Sequence, residues 1–256
     1  MTSEIKNPLN MVPDPFNGAG FVLPPTFCTT ERRAWFHRTN EILSFLYVTI
    51  HSFDETRKSW NTKVRDLPFK ENTPIKISLH GGNSAIMPAK RIVKITTEGI
   101  NVITRQAFVM MYGSLETYLF HLFERSYPQI GKTNNFMEIS LEILMGKKWD
   151  GKFCKMKEVF GIDYQCGKLE THFHDFEMNF SGKFYKKPLM FLDELVQIRH
   201  KIVHASSILE GDKLIFIDIK VFNSYYTFCS LLTDYIDDLF AKRFGYQRDK
   251  VNPAEA

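Results

Sequence analysis

The chain has 256 residues, of which 44% are hydrophobic and 24% are charged, and its formal net charge is +4. This length and composition are typical of a globular protein with one sizeable core, and they exclude a wholly disordered chain. The mild positive charge permits a polyanionic partner without requiring one.

The first ninety residues are predicted to form an arm, a helix and a linker. Five prolines within residues 1–28 indicate an extended arm. Thr29 or Thr30 is expected to cap a helix that runs to about Lys58. Residues 59–90 are polar, with one short alternating stretch that predicts a strand without an evident partner. That stretch carries Ile75, Ile77 and Leu79, and the helix before it has Trp35, Ile42, Leu46 and Ile50 on one side.

The rest of the chain is dominated by helical patterns. A helix is predicted from about Ala89 to Ser126, with Gly99 as a point where it could divide, and a second at about 134–146. A lysine-rich connection with short helices follows, to about Phe180. A further helix starts after Pro188, which suits a first helical turn. The remaining predictions are a turn at 210–212, an apolar strand at 214–219 and a last helix over 221–244.

Arg199 and His204 are the most informative pair of residues. The helical stripe Phe191, Leu195, Ile198 predicts a core-facing helix, and Arg199 falls only about 40° from Leu195 on it. We therefore expect a buried guanidinium, which needs a carboxylate, a phosphate or a partner chain. On one regular helix His204 would lie about 140° from Arg199. Both could serve one site if the helix ended near His204, or if a two-fold dimer combined residues of two chains.

This pattern resembles a known signature. An arginine followed by a polar residue, then a histidine five positions on and a small-polar run, is similar to the signature of the HEPN superfamily. These are small all-helical domains, many of them metal-independent ribonucleases of toxin–antitoxin and antiviral systems. The segments AFVMMYGSLETYLFHLFE and VFNSYYTFCSLLTDYIDDLF resemble the first and last helices of the family. The resemblance covers roughly residues 95–245.

The resemblance implies a fold, an activity and partners. The expected fold is mainly α: a HEPN-like up-and-down helical bundle over residues 91–256, with a short strand or hairpin insertion. Residues 1–90 would be an N-terminal helical extension of unknown role. The implied activity is endoribonuclease cleavage without a cofactor, by a homodimer whose composite site combines Arg199 and His204. An antitoxin or other regulatory protein is a further implied partner, although Ser206 occupies the position at which some members carry an antitoxin-modified tyrosine.

Two further residues are candidates to support this site. Glu116 lies on a hydrophobic sector of its predicted helix and is the natural ion-pair partner for Arg199. His200 precedes His204 by one helical turn and could aid proton transfer. The His-x3-His spacing could also hold a metal ion, but Lys201 stands where a zinc protease has its glutamate, so no metal is expected.

Lysines form two clusters that could bind RNA. Lys183, Lys186 and Lys187 flank Phe184 and Tyr185, and rings interleaved with charge suit single-stranded RNA. That is the second cluster along the chain. The first cluster along the chain comprises Lys147, Lys148, Lys152, Lys155 and Lys157. A solvated loop or helix face explains either cluster equally well.

Compartment and alternative functions complete the predictions. Four scattered cysteines without a CxxC pair indicate reduced thiols, and the chain starts without a signal-like segment or any membrane-length apolar run. We therefore expect a cytoplasmic protein that is not membrane-bound. The alternative to a ribonuclease is a non-catalytic HEPN-like module that dimerises and binds RNA or protein. A DNA-binding regulator is less favoured, because no helix-turn-helix spacing is present.

Overall fold

The structure is a computed structural model that describes residues 27–65, 72–78, 80–131, 135–164, 169, 173, 178–180, 183–204, 215 and 217–250. The described residues are mainly helical, which confirms the mainly α class, while the HEPN-like arrangement stays a prediction. The helices are α1 (Thr30–Arg65), α2 (Ala89–Ser126), α3 (Phe136–Leu144), α4 (Trp149–Phe160), α5 (Pro188–Val203) and α6 (Ile219–Phe244). A single turn of 3₁₀ helix lies at Tyr127–Ile130, and His80–Gly82 form a tight turn with left-handed backbone at both glycines.

The described strands are short and form two-stranded antiparallel sheets. The pairs are β1 (Phe27–Cys28) with β6 (Asp249–Lys250), β2 (Pro74–Ser78) with β3 (Ser84–Pro88), and β4 (Met178–Phe180) with β5 (Lys183–Tyr185). The chain divides into two compact units, one of Met1–Glu41 with Phe108–Ala256 and the other of Ile42–Ala107. The predicted division between residues 90 and 91, which concerns a HEPN-like domain, stays a prediction.

The larger unit has a ring-rich core. The predicted stripe of α2 is buried throughout, from Phe108 to Leu122. Phe160 of α4 stacks on Phe123 of α2 at 5.0 Å between ring centroids and meets Phe240 of α6 at 5.5 Å. Aromatic pairs of this kind add to the free energy of burial, so these rings hold α2, α4 and α6 together.

A buried polar network ties the start of α1 to α6. Arg32 is fully buried and its Nε donates to Asp234 Oδ1 at 3.1 Å. Asp237, also fully buried, accepts hydrogen bonds from the Thr29 backbone N–H at 3.1 Å and from the Thr29 hydroxyl. Arg248 Nε lies 3.5 Å from the same carboxylate. These bonds satisfy charges that burial would otherwise make costly.

The smaller unit shows what the strand prediction missed. The stretch predicted as a lone strand is β2, and its partner β3 follows directly, with Lys76 opposite Ile86. Gly81 and Gly82, both at φ 81°, make the tight connection, because this left-handed backbone favours glycine. Gly99 does not divide α2; a Cβ there would lie 3.0 Å from Phe53 Cε2, so glycine permits close packing.

The predicted strand at 214–219 is wrong for those of its residues that the structure describes. Ile215 and Ile217 are not in a strand, and Ile219 begins α6. The reason is Asp218, whose side chain accepts a hydrogen bond from the Val221 N–H at 2.7 Å and so caps the helix. Residues 1–26 of the predicted arm (1–28), the turn at 210–212 and Ser206 lie outside the described residues, whereas Phe27 and Cys28 of the arm form β1. No described helix is long and apolar enough to cross a membrane.

Candidate functional site

A cavity of about 700 Å³ lies between α2, the end of α3, the start of α4 and α5. Its volume is in the range of pockets that bind small ligands. The end of α3 provides an apolar wall, with Leu141, Leu144 and Met145, and Val196 of α5 is also apolar. The polar wall comprises Tyr112, Glu116, Lys147, Lys152, Gln197, Arg199 and His200.

Arg199 and Glu116 meet at this cavity. Arg199 Nη2 donates to Glu116 Oε2 at 3.4 Å, so the ion pair expected from the sequence is present. The expected burial is wrong, because the two side chains are 39% and 27% exposed where the cavity opens. The guanidinium carbon also lies 5.7 Å from the ring centroid of Tyr112. Arg199 Nε is buried and has no hydrogen-bond partner among the described residues.

Glu116 is not held strongly as a carboxylate. Burial raises its pKa above the ordinary value, while the charges of Arg199 and Lys152 act in the opposite direction. The raised pKa means that the desolvation of the carboxylate outweighs the attraction of both cations. A ligand anion could therefore compete with Glu116 for these cations.

The two histidines meet at the end of α5. The helix ends at Val203, and His204 is its C-cap residue, with φ −92° and ψ 80° and with its backbone N–H donating to His200 O at 2.9 Å. The imidazole ring centroids of His200 and His204 are 4.3 Å apart. His200 lines the cavity, whereas His204 is not among the described residues of its wall. Of the two arrangements left open by the sequence, helix termination near His204 is therefore observed.

Lys152 is the residue of the site that the sequence interpretation missed. It was grouped with exposed lysines, but only 3% of it is exposed. Its Nζ donates to the carbonyl oxygen of Leu144 and lies 5.5 Å from the Trp149 ring centroid. Burial lowers the pKa of Lys152 to about 8, with the nearby charge of Glu116 acting in the opposite direction.

A signal for Lys152 was present in the sequence. Trp149, Phe153 and Met156 are buried at helical spacing, and Lys152 lies on the same stripe. Arg199 was identified because it lies on an apolar helical stripe, and the same criterion applied to α4 would have identified Lys152. Asp193 of α5 fixes the start of that helix, because its Oδ1 accepts a hydrogen bond from the Trp149 backbone N–H at 2.8 Å.

The second predicted RNA-binding cluster, within residues 183–187, lies in and after β5, and none of its described side chains lines the cavity. Tyr185 was a candidate RNA-binding residue; it is only 6% exposed and its ring packs 5.5 Å from that of Phe191. Burial raises the pKa of its hydroxyl to about 12. Phe184 is the exposed ring of the segment, with Lys186 Nζ 5.9 Å from its centroid. Lys187 is also exposed, and the side chain of Lys183 lies outside the described part of the structure.

The cavity has the chemistry of an anion site. Around it the described residues contribute the cationic side chains of Lys147, Lys152 and Arg199 and the imidazole of His200, against the single carboxylate of Glu116. No group of three His, Cys, Asp or Glu side chains suited to a metal ion occurs among the described residues. The chain matches no family model, no curated protein and no solved structure.

Proposed function

We propose that the protein is a metal-independent endoribonuclease, a toxin or antiviral-defence effector, that uses Arg199 and His204. The observation that carries the proposal is the adjacency of a guanidinium, a cavity and two imidazoles. Arg199 and His200 line the cavity, and the His204 ring lies 4.3 Å from that of His200. The resemblance of this segment to the HEPN signature supports the same assignment.

The chemistry follows from these groups. The 2′-hydroxyl of RNA attacks the adjacent phosphorus, the bond to the 5′-oxygen breaks, and the products are a 2′,3′-cyclic phosphate and a 5′-hydroxyl. His204 moves the proton, as base at the 2′-oxygen or as acid at the leaving oxygen, and His200 assists beside it. Arg199 binds the phosphate and offsets the negative charge that builds on it.

A homodimer would bring the two residues of the signature to one phosphate. Within one chain Arg199 faces the cavity, whereas His204 lies beyond the described part of its wall. In this proposal the partner's histidine completes the site, as the family resemblance implies.

The test is cleavage of labelled RNA by the purified protein in the presence of EDTA. His204→Ala should reduce the rate about 10²–10⁴-fold, which is the usual contribution of one proton-transfer group. His121→Ala is the matched control, because His121 is an exposed histidine on α2, outside the cavity wall. A DNA copy of the substrate should stay intact, since it lacks the attacking hydroxyl. Parental cleavage by His204→Ala, or a need for metal, would refute this mechanism, and a parent that cleaves no RNA would leave the non-catalytic binding module instead.

The composite site has its own test. Arg199→Ala and His204→Ala chains should each be inactive, and mixing them should restore part of the activity by forming one intact site per heterodimer. Sedimentation that shows only monomer at micromolar concentration would contradict the composite site, whatever the cleavage assay gives.

A further inference from the structure

The buried ammonium of Lys152 has no anion at ion-pair distance among the residues that the structure describes. Within the described residues its Nζ makes one hydrogen bond, to the carbonyl oxygen of Leu144, and no carboxylate lies within 4 Å. An ammonium has three donors and is costly to remove from water unless it is paired. Its depressed pKa expresses this cost. A cavity wall is one place where a protein can keep such a charge, because a ligand can supply the missing anion.

Arg199 is a second cation at the same cavity, and its hydrogen-bond donors are only partly satisfied by the described residues. Its Nη2 makes one long bond of 3.4 Å to Glu116, and its buried Nε has no hydrogen-bond partner among the described residues. A guanidinium binds phosphate best through two parallel N–H groups. Glu116 therefore satisfies only part of what Arg199 can donate.

The remaining wall is suited to a ring. Leu141, Leu144 and Met145 form an apolar side, and Leu141 and Met145 are 47% and 77% exposed. Tyr112 is also among the lining residues, but it is only 1% exposed, so the ligand surface is provided by the end of α3. Apolar walls with a few convergent polar groups are typical of small-molecule sites, and the volume of about 700 Å³ is sufficient for a nucleotide.

We propose that this cavity is a mononucleotide site in which Lys152 and Arg199 together bind one phosphate group and the apolar wall contacts the base. If the nucleotide is part of an RNA substrate, the inference rests on the proposed function. In that case Lys152 is a substrate-binding residue of the nuclease. Glu116 competes with the phosphate for the two cations in the unliganded protein. A free nucleotide presents the same chemistry, so binding and cleavage are measured separately.

The experiment is a calorimetric titration of the full-length protein with uridine 3′-monophosphate, with uridine and inorganic phosphate as separate arms. The parent should bind the nucleotide more tightly than phosphate, and uridine only weakly or not at all. Lys152→Met should weaken nucleotide binding about ten- to hundredfold, the usual effect of losing a charged hydrogen bond. Lys157→Met is the matched control on the same helix, because Lys157 is exposed and pairs with Asp163. It should bind like the parent.

Glu116→Gln provides a second variant that keeps the size and the hydrogen-bonding capacity of the side chain. Removing the competing charge should tighten nucleotide binding several-fold. Equal affinity of the parent, Lys152→Met and Glu116→Gln would overturn the inference, as would a parent that binds no nucleotide. RNA cleavage without nucleotide binding would reject the inference and leave the nuclease standing. Nucleotide binding without any RNA cleavage would retain the site and reject the nuclease.

Discussion

Replacing Lys152 by methionine should leave the protein as stable as the parent or more stable at neutral pH. The fall of the Lys152 pKa from 10.5 to about 8 on folding means that the folded state disfavours the ammonium. Converted at 1.36 kcal/mol for each tenfold change, this amounts to about 3 kcal/mol of destabilisation. Methionine removes that cost but also the hydrogen bond to Leu144 O, whose loss costs about 1–3 kcal/mol. The net gain in unfolding free energy is thus between about 0 and 2 kcal/mol.

The pH dependence separates this explanation from a change in packing. Below about pH 8 both states of the parent hold the Lys152 proton, and the penalty is present in full. Between about pH 8 and 10.5 the unfolded chain holds more of this proton than the folded chain, so the parent gains stability as pH rises. Lys152→Met lacks this gain. The difference between variant and parent should therefore shift by about 2 kcal/mol in favour of the parent from neutral pH to about pH 9.5.

Urea unfolding of both proteins, followed by circular dichroism at the two pH values, measures this difference. Groups that titrate in both proteins cancel in the comparison, and Lys157→Met, which removes an exposed lysine of the same helix, should follow the parent at both pH values. A variant that is clearly less stable than the parent at neutral pH, by a margin independent of pH, would refute the argument. Lys152 would then serve mainly to cap α3 through Leu144.

Three further substitutions test other contacts by thermal melting. Glu116→Ala should cost only about 1 kcal/mol, because its pair with Arg199 is partly exposed and long; a loss of several kcal/mol would mean a buried pair. Asp237→Ala should cost roughly 3–5 kcal/mol, since it leaves buried donors of the network unpaired, and a melt like the parent's would contradict that network. Asp193→Ala should cost about 1 kcal/mol through the lost bond to Trp149 and also weaken nucleotide binding, whereas unchanged affinity would separate the two helices functionally.

Much of the helical framework was predictable because helix packing leaves a periodic trace. The buried stripe of α2 from Phe108 to Leu122 and the start of α5 at Pro188 follow from local spacing and from proline's preference for a first turn. The partner strand of β2 was missed because a five-residue strand with Ser84 and Ile86 exposed and no fully buried residue has little pattern of its own. Asp218 was missed because the apolar run before α6 is equally compatible with a strand, and only the cap distinguishes them.

The candidate site was predictable in part for a similar reason. Arg199 and Glu116 were identified as partners because each lies on an apolar helical sector, and they do pair. Their partial exposure was not predictable, because it depends on the cavity formed by α3 and α4 beside them. Lys152 was grouped with four other lysines of residues 147–157, because a run of lysines does not itself show which of the five side chains is buried. Tyr185 was included among the RNA-binding candidates because it stands beside lysines, and that local pattern does not show that its ring is buried.

One helix, α5, determines the positions of Arg199 and Lys152. Arg199 projects from α5 itself, and Asp193, six residues earlier, holds the first N–H of α4, from which Lys152 extends less than one turn further on. A displacement of α5 would therefore move the guanidinium and the ammonium together, and with them His200, while His204 marks the end of the same helix. Since the histidines and both cations depend on α5, occupation of the cavity by a nucleotide should stabilise the α5 backbone near His204. Hydrogen exchange should then slow at the His204 amide when uridine 3′-monophosphate is added to the parent, and not when it is added to Lys152→Met.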